Sequence, residues 1–226
     1  MSGFTNGACA VVASVAAAML LVGTSGCNFV GFAGAMVETY RRSSTKTVKA
    51  EYDGLREKSY GVIVTGDRVL QGSYPTLLPR LQARITDRLA DPNLTGVKGV
   101  VPPVLMLEFQ LTNSTWSTWN YEKVANELGV ERLIIVEMYE YRLNEPGNSY
   151  TWEGVATARV NVVEADGPMP TEFSFTKDVS VRYPDKPGFT PDDLNQQQVQ
   201  SVLEGRLIDR VTWLFHDHEE PYYPDY

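Results

Sequence analysis

Apolar residues between positions 60 and 218 repeat with two different periods, which predict strands and helices in alternation. The run YGVIVTG, residues 60–66, is short and rich in β-branched residues, and it stops at a Gly-Asp pair, so it predicts a buried strand. The segment that follows predicts an amphipathic helix. Its apolar residues recur three or four positions apart: Leu77, Leu78, Leu81, Ile85 and Leu89.

The middle of the chain predicts a strand, a helix and a strand. VPPVLMLEFQL, residues 101–111, is apolar almost throughout and predicts a second strand that is entered through two prolines. STWNYEKVANELG, residues 117–129, predicts a helix that ends at Gly129, a residue type favoured after a helix. VERLIIVEMYEYRL, residues 130–143, is strongly β-prone and predicts the third strand.

The remaining pattern predicts two strands and a long helix. Residues 151–166 and 172–184 alternate apolar and polar positions, which is typical of an antiparallel meander with one solvated face. An apolar stripe between Val199 and Phe215 predicts the helix, which starts with Thr190-Pro191-Asp192-Asp193 or with Asn195 as its cap. The expected fold is α/β (α+β), a mixed, largely antiparallel sheet with helices on one face, in the order β-α-β-α-β-β-β-α.

The first 37 residues contain no charged side chain, and a 15-residue apolar block runs from Ala8 to Val22. That length suits a secretory signal better than a membrane span. The block is followed by Thr24-Ser25-Gly26-Cys27, which resembles a bacterial lipobox. The resemblance implies a signal peptide over 1–26 and a lipid on Cys27. We then expect a tether over 27–59, a domain over 60–218 and an extended tail over 219–226.

An alternative for this region is an uncleaved membrane anchor from Ala8 to about Val37, since the whole stretch is uncharged. Thr24, Ser25 and Asn28 would then lie at mid-membrane depth, which disfavours it. Within the tether, Val48, Tyr52 and Leu55 fall at helical spacing and predict a helix over 48–58.

The overall charge limits the classes of partner. The 226-residue chain carries a formal net charge of −8, with 20 Lys and Arg against 28 Asp and Glu. Nucleic acid is therefore not expected as a partner, because phosphate binding needs clustered cations. Arg80, Arg84 and Arg88 recur every four residues. They indicate either an anion-binding stripe or, in keeping with base rates, a solvated helix face.

Few residues suggest catalysis or cofactor binding. The two histidines, His216 and His218, are weak candidates for a metal site, but no distant ligand completes one. Neither a Gly-x-Ser-x-Gly motif nor a phosphate-binding glycine loop occurs. Glu137 and Glu140 are the one notable carboxylate pair, and odd spacing on a strand predicts opposite faces. We therefore expect no enzyme activity, no cofactor and no bound metal.

Four aromatic residues are candidates for binding a partner. Trp116 and Trp119 lie at a predicted helix start, where they either form an exposed recognition site or pack into the core. Tyr222 and Tyr223 belong to the acidic, proline-broken tail EEPYYPDY, which predicts an extended segment.

The order of elements resembles an envelope fold. The junction ANELGVERLIIVEM and the strand pattern W-x-G-x-A-x-A-x-V-x-V, beginning at Trp152, carry the resemblance over about residues 60–218. The fold is similar to the N-terminal domain of the translocation protein TolB, to the curli-secretion lipoprotein and to lipoprotein activators of penicillin-binding proteins. The resemblance implies a partner-binding module without chemistry of its own, and it assigns no site residue.

Two functions follow as expectations. The first is a non-catalytic, lipid-anchored protein on the periplasmic face of the outer membrane, which binds another component of the cell envelope. The alternative is a membrane-anchored domain with a metal-dependent or small-ligand-binding role at its C-terminal end.

Overall fold

The structure is a computed structural model that describes residues 45–221. Its main feature is a five-stranded mixed sheet with six α-helices around it. The elements are β1 (Thr45–Val48), β2 (Ser59–Gly66), α1 (Arg68–Ser73), α2 (Leu77–Leu89), α3 (Pro92–Thr95), β3 (Gly99–Val100), α4 (Pro103–Thr112), a 3₁₀ turn (Trp116–Thr118), α5 (Tyr121–Leu128), β4 (Arg132–Arg142), β5 (Gly154–Glu164), β6 (Phe173–Tyr183), α6 (Gln196–Thr212) and β7 (His218–Pro221).

The sheet has the strand order β3-β2-β4-β5-β6. β2 lies parallel to both β3 and β4, whereas β4, β5 and β6 form an antiparallel meander. The expected mixed sheet is thus confirmed. From β2 to α6, the order β-α-β-α-β-β-β-α is also confirmed when consecutive helices are counted together, whereas β1 and β7 lie outside this series.

One face of the sheet packs against α2 and α6. Cross-strand rows such as Val64, Val136 and Val160 meet the apolar stripes of these two helices. The contacting residues of the helices are fully buried, and they are the residues whose spacing predicted the helices: Leu77, Leu81, Ile85 and Leu89 on α2, and Val199, Leu203, Leu207 and Val211 on α6.

Helices also cover the opposite face, which corrects the expectation of helices on one face only. Met106 and Phe109 of α4 and Val124 of α5 pack with Ile63 and Ile135 of the sheet in a second core cluster. β2 and β4 are buried on both faces, which explains why both read as nearly continuous apolar runs. The predicted wet face of β5 is also only partly solvated, because Asn161 is fully buried.

The predicted second strand, residues 101–111, is wrong. The strand at that point is Gly99–Val100, and the apolar run forms helix α4. Pro103 stands at the first helical position, where the missing N–H costs nothing. The run is also rich in Leu and Met, whereas the segment that forms β4 is rich in Ile, Val and Tyr, and this difference favours a helix.

The segment before β2 belongs to the compact unit, which begins at Thr47 and not at residue 60. The predicted helix over 48–58 is wrong, since residues 54–57 form a turn. Tyr52 and Leu55 are nevertheless buried in the core beside α6, and the Tyr52 amide donates a hydrogen bond to the Leu214 carbonyl at 2.9 Å. Their apolar spacing therefore marked core residues and not a helix.

Of the two caps considered for the last helix, Asn195 is the one observed. Its side-chain oxygen accepts a hydrogen bond from the Gln198 backbone N–H, and the Gln198 side-chain oxygen accepts one from the Asn195 backbone N–H, each at 2.9 Å. This capping box satisfies two of the N–H groups that a helix start leaves without partners.

A small second unit includes the described residues 45–46 and 219–221. Thr45 and Glu219 form a side-chain hydrogen bond of 3.3 Å, and Lys46 and Glu220 form an ion pair of 3.7 Å. β1 and β7 make up a two-stranded sheet.

Candidate binding surface

Helix α4 exposes a set of large aliphatic side chains. Val104 is 75% exposed, Leu105 53%, Leu107 41% and Leu111 74%. We call these four residues the α4 face. A helix that is apolar all round is normally buried on all sides, whereas α4 buries only Met106 and Phe109.

The chain after α4 places Trp116 and Trp119 beside this face. The 3₁₀ turn brings both indoles against the second core cluster, where each is partly buried. Trp119 meets the Phe109 ring edge-on at 6.0 Å, and Lys123 Nζ lies 3.8 Å from the centre of its ring. Each tryptophan thus packs on the core and keeps part of its side chain exposed, and a role of either one in recognition stays a prediction.

A cavity of about 240 Å³ lies between the 3₁₀ turn, α5 and the sheet. Its floor consists of residues from β2 and β4, including Ile63, Ile135 and Glu137. Its walls are Trp116, Trp119, Tyr121, Ser117 and Val124. We call this cavity the aromatic pocket.

Among the described residues that line the aromatic pocket, Glu137 is the one with a charged side chain. It accepts a hydrogen bond from the Tyr139 hydroxyl at 3.1 Å, and no ion pair to it is found in the described part of the chain. Burial raises the pKa of the Tyr121 phenol, and the nearby Glu137 charge raises that pKa further. The neighbouring strand places Arg159 opposite Glu137, but Nε and Nη2 of that guanidinium bind Asp178, at 2.7 and 3.0 Å.

The expectation that Glu137 and Glu140 lie on opposite faces is wrong. A β-bulge between Met138 and Glu140 shifts the register, so Glu137 lies opposite Arg159 and Glu140 opposite Thr157. Residues that alternate on β5 share a face, and therefore so do the two carboxylates. Glu140 itself is exposed and pairs with Arg142 at 2.7 Å, outside the aromatic pocket.

Two larger cavities flank α4. One, of about 590 Å³, is lined by Leu107, Trp116 and uncharged residues of β2 and α2. The other, of about 610 Å³, lies between α4 and α5, and its lining includes Leu105, Glu108 and Glu127. Within the described residues, the three cavities around α4 and α5 are thus lined by three carboxylates and by no Lys or Arg.

The arginine row of α2 does not form an anion-binding stripe. Arg80 binds Glu204 of α6 through two nitrogens at 2.5 and 2.9 Å, and Arg84 lies 3.8 Å from the same carboxylate. Arg88 pairs with Asp209 at 2.9 Å. The row therefore links α2 to α6, although each side chain remains 43–47% exposed.

His216 and His218 lie beyond the end of α6, with ring centres 6.3 Å apart and planes at 85°. Each Nδ1 faces a backbone carbonyl oxygen, that of Asp217 and that of His216 respectively. The His218 ring also stacks on Trp213 at 4.4 Å. Within residues 45–221, no cluster of three His, Cys, Asp or Glu side chains is placed to hold a metal ion.

The other candidate residues from the sequence, Cys27, Tyr222 and Tyr223, lie outside the described residues. Among the described residues, no helix is both long and apolar enough to cross a membrane.

The sequence did not reveal the α4 face, because a nearly continuous apolar run does not show which side of the element is buried. Two signals would have found it. The run is rich in Leu and Met, and Pro102-Pro103 stands near its start, which together favour a helix over a central strand. An amphipathic helix needs only about three or four apolar residues in seven, so a helix with more is either buried on several sides or exposes some of them.

Comparisons with known proteins show similarity to solved structures only. No family model matches the chain, and no curated protein matches it. The lipoprotein GNA1162 from Neisseria meningitidis aligns with 68% of this chain and 96% of its own, at 13% identity and a TM-score of 0.45. The PelC dodecamer from Paraburkholderia phytofirmans aligns over 76% and 97%, at 11% identity and a TM-score of 0.43.

The C-terminal domain of LpoB from Salmonella enterica aligns with 64% of this chain and 90% of its own, at 13% identity and a TM-score of 0.30. The structures that resemble this chain thus include bacterial lipoproteins. Similarities of this size establish neither a function nor a partner for it.

Proposed function

We propose that this chain is a non-catalytic, lipid-anchored protein of the bacterial cell envelope, which binds another envelope protein through the α4 face. The observation that carries the binding role is the exposure of four aliphatic side chains on one ten-residue helix. Contiguous exposed apolar patches on soluble domains mark interaction sites. The location rests on the lipobox-like sequence at Cys27 and on the apolar block before it.

Covering the α4 face would offset much of the free-energy cost of forming a complex. Burying one valine or leucine side chain is worth about 1.5–3 kcal/mol. Four such side chains therefore contribute several kcal/mol. This free energy is similar in size to the cost of immobilising two proteins in a complex. Trp116 adjoins the same surface, and tryptophan is among the residues that most often dominate interface energies.

The charges around the α4 face favour a basic partner over a second copy of this chain. Glu108, Glu127 and Glu137 line the cavities beside α4 and α5. A symmetric contact between two copies would bring these carboxylates towards one another, which disfavours it. A partner with Lys or Arg at the rim and apolar residues at the centre complements the surface.

Site-specific photo-crosslinking in intact envelopes tests the proposal. A photoreactive phenylalanine analogue replaces Val104 or Leu111 in the full chain. We expect both positions to crosslink to the same protein, because both side chains are at least 74% exposed on the proposed interface.

The matched control is Val202, an exposed valine on α6. A probe there should not crosslink to that protein. Equal crosslinking from Val202, crosslinks only between copies of this chain, or no crosslink from α4 would each contradict the proposal.

A further inference from the structure

We infer that the aromatic pocket receives a cationic side chain, lysine or arginine, from the protein that docks on the α4 face. The inference rests on the proposed function and adds to it the chemistry of one contact. The pocket lies next to the α4 face, since Trp116 lines both the pocket and the neighbouring cavity that contains Leu107.

The walls of the pocket suit a cation. Aromatic faces attract ammonium and guanidinium groups, and tryptophan does so most strongly. Trp119 already has the Lys123 ammonium over its ring, at 3.8 Å. Tyr121 packs against the Phe173 ring, with centres 4.9 Å apart. No described cation lies over Trp116, so this ring has cation-binding capacity that the described part of the chain does not use.

The floor of the pocket supplies the opposite charge. Glu137 has no ion-pair partner among the described residues, and Arg159, which lies opposite it on β5, forms its ion pair with Asp178 through Nε and Nη2. A cationic partner stabilises a carboxylate that is partly desolvated, since a charge-assisted hydrogen bond is stronger than a neutral one. The negative charge beside aromatic rings thus selects a cation over an anion or a purely apolar group.

The size of the pocket points to a side chain and not to a larger molecule. Pockets for drug-sized ligands measure about 300–1,000 Å³. At about 240 Å³, the aromatic pocket is below that range. An alkylammonium or alkylguanidinium group with its short apolar stem fills such a space, with the stem against Val124 and Ile135.

The probe for the test is n-butylammonium, which reproduces a lysine side chain, and n-butanol is its neutral counterpart. The full chain, labelled with ¹⁵N in detergent micelles, has four tryptophan indole N–H signals. We expect saturable shifts for Trp116 and Trp119 with n-butylammonium. Trp152 and Trp213, which do not line the pocket, should stay unchanged.

Glu137→Gln keeps the size of the side chain and removes its charge. We expect it to weaken n-butylammonium binding by about five-fold, the effect typical of one partly exposed ion pair. The matched control is Glu140→Gln on the same strand and face, which should leave the binding unchanged. An arginine analogue, n-butylguanidinium, should bind the wild-type chain more tightly than neutral n-butanol does.

Three results would overturn the inference: no saturable shift of Trp116 and Trp119, equal affinity for n-butanol, or unchanged n-butylammonium binding in Glu137→Gln. The crosslinks from Val104 and Leu111 do not depend on this pocket. If they persist while n-butylammonium fails to bind, the pocket inference is wrong and the docking proposal stands.

Discussion

At the residue scale, the most informative side chain is Glu204, a carboxylate that is only 3% exposed. It accepts hydrogen bonds from Arg80 and from the Tyr141 hydroxyl, the latter at 3.2 Å. The sequence showed the arginine row of α2 but not its partner, because Arg80 and Glu204 are 124 residues apart. Side-chain periodicity identifies a helix face, whereas it cannot identify what packs on that face from elsewhere in the chain.

Glu204→Ala should lower the free energy of unfolding by about 1–3 kcal/mol, because Arg80 and Tyr141 lose their acceptor in a mostly buried site. Thermal or denaturant unfolding of the full chain measures the change. The control is Asp209→Ala, which removes the more exposed pair with Arg88 and should cost less than about 1 kcal/mol. Equal losses for the two variants would show that Glu204 does not stabilise the contact between α2 and α6.

At the element scale, the pattern predicted the elements whose apolar residues have a clear period. β2, α2, α5, β4, β5, β6 and α6 are present where the pattern placed them, within a few residues. The sequence pattern could not predict two features, for different reasons. The apolar run of α4 has no period that separates strand from helix, and the bulge before Glu140 depends on cross-strand pairing. The sequence therefore singled out Trp116 and Trp119 but not the pocket that they line, and it did not show the α4 face.

Phe109 and Leu111 distinguish the helix from the strand first expected there. On a strand they would share a face, whereas on α4 Phe109 is 8% exposed and Leu111 74%. Phe109→Ala should lower the free energy of unfolding by about 3–5 kcal/mol. Leu111→Ala should change it by less than about 0.5 kcal/mol. Similar values for both, measured by denaturant unfolding, would contradict the helix.

At the scale of the whole molecule, the proposed anchor and the proposed binding surface lie in different parts of the chain. The apolar block and Cys27 precede the described residues, whereas the α4 face and the aromatic pocket lie within the compact unit that starts at Thr47. This separation means that the anchor and the binding surface can be altered independently.

Cys27→Ser should move the protein out of the membrane fraction or leave its precursor uncleaved, because the proposal places on this residue the acyl chains that stable attachment needs. We expect the fold of residues 47–218 to be unchanged, since the substitution alters none of them. Mass spectrometry of the wild-type N-terminus and membrane fractionation provide the measurement. A wild-type chain that begins at Met1 and remains in membranes would instead support the uncleaved anchor.

The central claim is that the α4 face binds a partner protein. It is tested most directly by measuring the dissociation constant of the crosslinked partner for Leu111→Ser and for Val202→Ser, with thermal unfolding as the check on folding. We predict that Leu111→Ser raises the dissociation constant by about ten-fold, as loss of a central apolar contact does, and that Val202→Ser changes it by less than about two-fold. The same dissociation constant for Leu111→Ser and for the wild-type chain would contradict the claim.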